Sequence, residues 1–133
     1  MSPQEREVRA FIEAFNAQEL ERLAETLHPE VVIVTARGVV EGREGAMDWA
    51  RSDPDGSLRQ RLELDGVRER GPRVLADIRR QWHWRDAADG GLADESPLSL
   101  IAEFADGRII RWEPFDAHEE AVAKLESAAP ARD

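Results

Sequence analysis

Two patterns of hydrophobic residues divide the chain into a helical first part and a β-rich remainder. Near the N-terminus the apolar residues recur every three or four positions, at Val8, Phe11, Ile12 and Phe15. This spacing predicts a helix with one buried face. From Leu58 onward apolar and polar residues alternate, which predicts strands. A run of helices followed by a run of strands indicates an α+β domain, with the helices on one face of an antiparallel sheet.

Capping and turn signals set the predicted helix boundaries. Ser2-Pro3-Gln4-Glu5 combines an N-cap serine, a proline at the first helical position and a capping-box glutamate, so the first helix begins there. A short second helix follows from Leu20, and a third is predicted over Glu44 to Ser52, where Asp53-Pro54-Asp55-Gly56 ends it. Asp116-Ala-His-Glu119 repeats the capping-box pattern and predicts a final short helix.

A β-hairpin is predicted around Asp106-Gly107, because this dipeptide lies between two apolar, β-branched runs. One face of the hairpin is expected to carry Leu98, Leu100, Ala102 and Phe104 from its first strand and Ile110, Trp112 and Pro114 from its second. An apolar face this wide needs cover. We expect the helices to cover it incompletely and to leave a pocket.

Arg80 breaks the pattern of the strand that precedes the hairpin, Val74 to Trp84, since every second residue there is otherwise apolar. An unpaired buried charge is costly. Arg80 is therefore expected to bind an anionic ligand such as a carboxylate or enolate, unless it pairs with a helix acid such as Glu13 or Asp48. A third interpretation places its guanidinium in water at the mouth of the strand.

The predicted pocket is rich in aromatic side chains. Its expected lining is Phe11, Phe15, Trp49, Ile78, Trp82, Trp84, Leu100 and Trp112. Such a lining suits a small hydrophobic or aromatic molecule, although the same rings could simply fill the core. Asp116 follows the last strand and is a candidate general acid or base beside Arg80; its alternative role is the N-cap of the last helix.

The composition describes an ordinary globular chain. A length of 133 residues fits one domain over residues 1–133, with a frayed tail from about residue 128. The net charge of −10 argues against nucleic-acid binding, which needs a basic surface. No apolar run reaches the ~20 residues of a membrane span, and the N-terminus lacks the features of a signal peptide. A cytoplasmic protein that binds no membrane is therefore expected.

The cysteine and histidine content removes several kinds of chemistry. Cysteine is absent, which excludes disulfides, thiolate nucleophiles and cysteine-ligated metal sites. The three histidines have none of the close spacings of a local metal motif. We therefore expect no metal and no cofactor, while a site assembled from distant residues stays open.

Four segments carry a family resemblance in their order and spacing. They are Phe11 to Leu23, Leu27-His-Pro-Glu-Val-Val32, Glu41-Gly-Arg-Glu-Gly45, and Asp106 to Trp112 with Phe115-Asp116. Together they resemble the nuclear-transport-factor-2-like superfamily, close to its SnoaL-like and ketosteroid-isomerase-like branches. The resemblance implies a cone-shaped domain in which a strongly curved antiparallel sheet wraps around the N-terminal helices, a cystatin-like roll.

The resemblance also implies which activities this chain lacks. Phe11, Thr35 and Leu100 stand where ketosteroid isomerases place their tyrosine, base and acid, so the chain is not a standard ketosteroid isomerase. Ile78 and Arg80 stand where limonene-epoxide hydrolases need arginine and aspartate, so that triad is absent too. SnoaL-like cyclases use a pocket aspartate as acid and base, for which this sequence offers no certain equivalent.

Three functions remain as hypotheses. The first is a small-molecule-binding SnoaL-like protein with an aromatic-lined hydrophobic pocket. The second is an enzyme of the polyketide-cyclase, isomerase or hydratase type that uses Arg80 and Asp116. The third is a dimeric association module whose pocket is filled. Proteins of this fold commonly form homodimers through the outer sheet face, which here is expected to carry Arg79, His83, Glu103, Arg111 and Glu113.

Overall fold

The computed structural model describes residues 2–35, 38–51, 58–84 and 91–127. The predicted tail from residue 128 and the predicted turn over residues 53–56 lie outside the described residues. In chain order the helices are α1 Pro3–Ala17, α2 Leu20–Glu25, α3 Arg43–Ala50 and α4 His118–Glu126. The strands are β1 Leu27–Thr35, β2 Gly38–Glu41, β3 Leu58–Arg70, β4 Arg73–Trp84, β5 Leu92–Ala105 and β6 Arg108–Phe115.

The strands form one curved, unclosed sheet in the order β2-β1-β6-β5-β4-β3. The predicted α+β class and curved sheet are confirmed. Neighbouring strands are antiparallel except β1 and β6, which run parallel and pair Ile33 with Trp112. That one parallel pair, which antiparallel patterning does not predict, attaches the short β1–β2 hairpin to the strands of the second half.

Helix α1 begins where the capping box predicts. The Ser2 side chain is the N-cap and accepts a hydrogen bond from the Glu5 backbone N–H at 3.0 Å. The helix ends at Ala17, and its C-cap residue Gln18 has a left-handed backbone (φ 56°) that closes the last turn. Its apolar stripe is buried, so α1 is held by tertiary packing as the 3.6-residue period predicts.

The main core lies between the sheet and helices α1 to α3, and we call this side of the sheet the inner face. Register places Val74, Ala102, Trp112 and Ile33 side by side on four neighbouring strands, and all four are buried. Residues directly opposite each other on paired strands share a face, so this row gives the inner face its apolar surface. The helices pack on it as predicted.

Helix α4 instead packs on the outer face, which corrects the expectation that all helices share one side of the sheet. Leu75 and Ile101 are paired across β4 and β5 on that face, and they form a small second core with Ala121 and Leu125. Two adjacent large apolar residues on an otherwise charged face need cover, and α4 supplies it.

Two details of the last hairpin also differ from expectation. Asp106 and Gly107 both have positive φ (55° and 78°), which suits the predicted two-residue turn. A bulge in the β5–β6 pairing, however, sets Phe104 opposite Ile109. Ile109 is therefore the buried residue, and the prediction for Ile110 was wrong because a bulge shifts the alternation by one position.

Strand ends were also misjudged on both sides of the hairpin. Strand β5 already begins at Leu92, although the sequence from Asp86 to Asp94, with its Gly90-Gly91 pair, predicts a loop. Helix α4 starts at His118 with Ala117 as its N-cap, so the prediction of Asp116 as N-cap is wrong. The cause is that β6 continues to Phe115, and the chain must leave the sheet before a helix can start.

Candidate functional site

A cavity of about 330 Å³ opens between the inner sheet face and helices α1 and α3. It is lined by Phe15, Val34, Thr35, Trp49, Gln60, Leu62, Ile78, Arg80, Leu98, Trp112, Pro114 and Asp116. Seven secondary-structure elements contribute to this wall, from both halves of the chain. The volume is at the lower end of the roughly 300–1,000 Å³ range of small-molecule pockets.

Strand register explains why the sheet wall changes from apolar to polar. Ile78 lies between Leu64 and Leu98 on the neighbouring strands. Two residues further along β4, Arg80 lies between Leu62 and Ser96. The side-chain period of a strand sends both rows to the inner face. The floor of the cavity is therefore apolar, and its polar edge begins at Arg80.

An aromatic cluster of Phe11, Phe15, Trp49 and Trp112 closes one end of the cavity. The rings of Phe11 and Trp112 are 4.0 Å apart at their centroids, and those of Phe15 and Trp49 are 6.0 Å apart. Phe15, Trp49 and Trp112 reach the cavity, whereas Phe11 is fully buried behind them. Flat rings offset in this way provide an apolar surface for a ligand to stack against.

Two side-chain amides fix α1 beside the cavity. Asn16 donates to the Leu62 carbonyl at 2.9 Å and accepts from the Leu62 N–H at 2.8 Å, so it joins the end of α1 to β3. Gln18 donates to the Ala50 carbonyl at 3.0 Å, which ties the same end to α3. From the sequence alone, Asn16-Ala17-Gln18 predicts only the end of the first helix.

Arg80 lies on the cavity wall without a carboxylate partner among the residues that the structure describes. Its Nε atom is buried and makes no hydrogen bond. The predicted pairing with Glu13 or Asp48 is wrong, because Glu13 is exposed and Asp48 instead accepts from Arg51 at 3.1 Å. Because the Nε atom is buried, the guanidinium does not lie entirely in water. The Arg80 Cζ lies 5.9 Å from the centroid of the Trp82 ring.

Asp116 follows β6 and lines the same cavity from an exposed position. Within the described ranges no ion pair joins it to Arg80. The arrangement therefore places a partly buried cation on the β4 side and an exposed carboxylate on the β6 side of one largely apolar chamber. Chemically, such a chamber can hold an anionic oxygen near Arg80 and accept or deliver a proton near Asp116.

The structure separates the predicted pocket residues into two groups. Phe15, Trp49, Ile78 and Trp112 line the cavity together with Arg80 and Asp116. Phe11, Trp82, Trp84 and Leu100 do not line it. Phe11 and Leu100 are fully buried in the core behind the wall. Trp82 lies beside Arg80, and Trp84 is 50% exposed because β4 extends beyond the helices that cover the inner face.

Several lining residues were missed by sequence reasoning. Gln60 and Leu62 share the inner-face parity of β3, so the alternation of that strand could have identified them. Val34 and Thr35 come from β1, whose place beside β6 depends on the parallel pairing. No local sequence signal indicates that pairing.

The outer face has a different character. Arg79 Nε donates to both carboxylate oxygens of Asp65 at 3.0 Å, and this hydrogen bond and charge raise the pKa of Arg79. His118 Nδ1 is 3.0 Å from Asp77 Oδ1 and 3.0 Å from Ser99 Oγ, which connects the start of α4 to the sheet. Of the residues expected to form a dimer contact, Glu103 lies 3.6 Å from Arg73 and Arg111 lies 3.2 Å from Glu113.

The part of the chain that the structure describes contains no group of three or more histidine, aspartate or glutamate side chains placed to hold a metal ion. The described helices include none with the length and apolarity needed to cross a bilayer.

A family model described as "SnoaL-like domain" matches residues 8–112. No curated protein sequence matches the chain.

Three solved structures share the fold at low sequence identity. A polyketide-cyclase-like protein from Xanthomonas campestris is 21% identical, with a TM-score of 0.71 over 92% of this chain and 96% of its own. An epoxide hydrolase of the LEH-like type from M. tuberculosis is 16% identical, with a TM-score of 0.71 over 93% and 85% of the two chains. TerC, co-crystallized with polyporic acid, is 20% identical, with a TM-score of 0.67 over 96% and 100%.

Proposed function

Because the chain belongs to the SnoaL-like family, we propose that it is a small-molecule-binding protein that takes a hydrophobic or aromatic molecule into the inner-face cavity. The observation that carries the proposal is the open cavity of about 330 Å³ with aromatic rings at one end and Arg80 at its edge. A core built only for stability is close-packed, with few voids larger than a water molecule.

The cavity volume limits the size of the ligand. An apolar protein cavity of about 150 Å³ binds benzene. A cavity of about 330 Å³ is therefore suited to a ligand of about two rings. The crystal structure of TerC with polyporic acid supports a small-molecule role for a chain of this fold.

An enzyme of the polyketide-cyclase, isomerase or hydratase type is the second candidate. The specific observation in its favour is that Arg80 and Asp116 line the same cavity. In that mechanism Arg80 stabilises an oxyanion and Asp116 moves the proton. If Arg80→Ala and Asp116→Asn both left the turnover of a true substrate unchanged, this mechanism would be excluded.

The association module with a filled pocket has less support, because the cavity is open. Homodimer formation through the outer face and a cytoplasmic location stay predictions. Size-exclusion chromatography with light scattering would measure the oligomeric state directly.

The binding proposal is tested by thermal shift with a panel of neutral and charged one- to three-ring aromatic molecules. We expect at least one member to raise the Tm of the wild-type protein. Leu98→Trp fills the cavity and should abolish that shift. Trp84→Phe changes an exposed ring outside the cavity and should preserve it. A panel that never changes the Tm of the wild type would contradict the proposal.

A further inference from the structure

We infer that the ligand of this cavity is an organic anion, namely an aromatic molecule of about two rings that carries a carboxylate or enolate oxygen bound by Arg80. The inference rests on the proposed binding function and narrows it to one class of ligand. It depends on four features of the site, which concern hydrogen bonding, charge, orientation and shape.

The first feature is an unused donor. Arg80 Nε is buried and has no hydrogen-bond partner. A buried N–H that is left unpaired destabilises the folded protein, because it loses its water and gains no acceptor. Carboxylate groups bind arginine through two parallel N–H···O bonds, and Nε with one Nη is a usual pair of donors. A ligand carboxylate would therefore satisfy the donor that the protein leaves open.

The second feature is an uncompensated positive charge. The residues beside Arg80 on the neighbouring strands, Leu62 and Ser96, are uncharged, as is Ile78 before it on the same face. Among the lining residues that the structure describes, Asp116 is the one carboxylate, and it is exposed to solvent. Charges in water are screened much more strongly than buried ones. Because the Arg80 Nε is buried, we expect Arg80 to attract an anionic group more strongly than Asp116 repels it.

Other arginines in the described residues show that the unpaired state of Arg80 is not general. Arg61 lies 2.6 Å from Glu63, and Arg79 lies 3.0 Å from Asp65. Arg43 also has a buried Nε without a partner, but its Nη2 donates to the Leu27 carbonyl at 2.6 Å. Arg43 does not line the cavity, so its environment is that of a structural residue.

The third feature is the orientation of the guanidinium. Its Cζ lies over the Trp82 ring at 5.9 Å, within the roughly 6 Å range of cation–π contacts. A cation–π contact is an electrostatic attraction to the ring and does not need the N–H groups as hydrogen-bond donors. Carboxylates bind those N–H groups, so the contact with Trp82 is compatible with a carboxylate at Arg80.

The fourth feature is the shape of the remaining wall. Phe15, Trp49 and Trp112 supply rings to the same cavity that Arg80 borders. A ligand with its anionic group at Arg80 would lay its apolar body against these rings. A neutral aromatic molecule could pack against the rings but could not pair with the charge of Arg80.

The inference is tested with a matched pair of probes, 2-naphthoate and 2-naphthamide, which share size and shape but differ in charge. Binding is measured by isothermal titration calorimetry at neutral pH. We expect wild-type protein to bind the acid about tenfold more tightly than the amide, or better. Arg80→Met should remove this preference and keep the affinity for the amide. Arg79→Met, the matched control on the outer face, should bind both probes like the wild type.

Each alternative result has a distinct meaning. Equal binding of acid and amide by the wild type would overturn the inference and leave the binding proposal standing. An acid preference that survives in Arg80→Met would overturn the assignment of Arg80. If neither probe binds, the inference fails, and the aromatic panel then decides whether the binding proposal fails with it. Arg80→Lys separates charge from geometry, because it keeps the charge and loses the two-donor edge; we expect it to recover only part of the preference.

Discussion

Arg79 and Arg80 are neighbours on β4, yet the strand directs them to opposite faces of the sheet with different surroundings. On the outer face Arg79 is held by Asp65 at 3.0 Å and lies 3.4 Å from Glu95. On the inner face Arg80 has a buried Nε without a partner and borders an open cavity. Two side chains of the same type thus differ: Arg79 is paired with a carboxylate of the protein, whereas Arg80 keeps an unused hydrogen-bond donor.

This difference separates a surface arranged for stability from one that we propose is arranged for binding. Natural sequences satisfy local rules of packing and pairing nearly everywhere, and the exceptions are concentrated at functional sites. The outer face follows those rules, with its ion pairs and the small apolar core under α4. The inner face departs from the rules of close packing and of pairing within one cavity. It leaves a void there, and among the described residues it gives Arg80 no carboxylate partner.

The strongest test of the comparison is the aromatic end of the cavity. Trp112 is 3% exposed and its ring is 4.0 Å from that of Phe11, so Trp112→Ala removes a core residue. We expect the free energy of unfolding to fall by about 3–5 kcal/mol in urea titrations. Trp84→Ala, at a site that is 50% exposed, should cost less than about 1 kcal/mol. Equal losses for the two variants would contradict the assignment of Trp112 to the core and of Trp84 to an exposed position.

A smaller loss is expected on the outer face. Leu125 is buried with Leu75 and Ile101 under α4, and Leu125→Ala should lower the free energy of unfolding by about 2–3 kcal/mol. Glu126→Gln, at an exposed site on the same helix, should change it by less than about 0.5 kcal/mol. A negligible loss for Leu125→Ala would show that α4 adds little to the stability of the sheet.

The two adjacent arginines should respond with opposite signs. Arg80→Met removes a partly buried cation that lacks a partner and should raise the free energy of unfolding by about 1 kcal/mol. Arg79→Met removes a paired guanidinium and should lower it slightly, because solvent screens the exposed pair. Both values come from urea titrations without ligand. Destabilisation by Arg80→Met would mean that its packing on Trp82 outweighs the unpaired donor.

The smallest effect concerns a carboxylate on α1. Burial raises the pKa of Glu7 above its ordinary value of 4.5, while the positive charge of Arg108 lowers it. A raised carboxyl pKa stabilises the fold below the unfolded-state pKa, and that contribution is lost as pH rises through the folded-state value. Glu7→Gln should therefore be more stable than wild type at about pH 7, by only a few tenths of a kcal/mol because Glu7 is partly exposed.

The measurement for Glu7 is a pair of urea titrations, one at neutral pH and one at about pH 3, where the carboxyl is protonated in both states. The difference between variant and wild type should vanish at the lower pH. A variant less stable than wild type at neutral pH would show that attraction to Arg108 exceeds the cost of burial.

Signals that act over a few residues were predicted well from the sequence. Ser2 and Glu5 located the start of α1, and Asp106-Gly107 located the β5–β6 hairpin. The alternation of β4 correctly placed Arg80 on the face shared by Ile78. In each case the physical cause is local, because capping, turn geometry and side-chain period depend on adjacent residues.

The features that were missed depend on distant parts of the chain. Alternation predicts which face of the sheet carries Trp84, but it does not predict whether a helix covers that residue. In the structure Trp84 is 50% exposed. The bulge that buries Ile109 in place of Ile110 follows from pairing with β5. Asp116 is not the N-cap of the last helix, because β6 continues to Phe115 and α4 begins only at His118. Pairing and cover are set by tertiary structure, which overrides local patterns.

The parallel pairing of β1 with β6 also has a consequence for the order of folding. A chain leaves the ribosome N-terminus first, so β1 cannot pair with β6 until almost all of the protein has been synthesised. The β3–β4–β5 meander has only sequential pairings and can form earlier, since local contacts form faster than distant ones. Pulse-labelled hydrogen exchange should then show amides of β4 protected before those of β1. The inner-face cavity, whose wall includes residues of both β1 and β4, would be completed in the final step of folding.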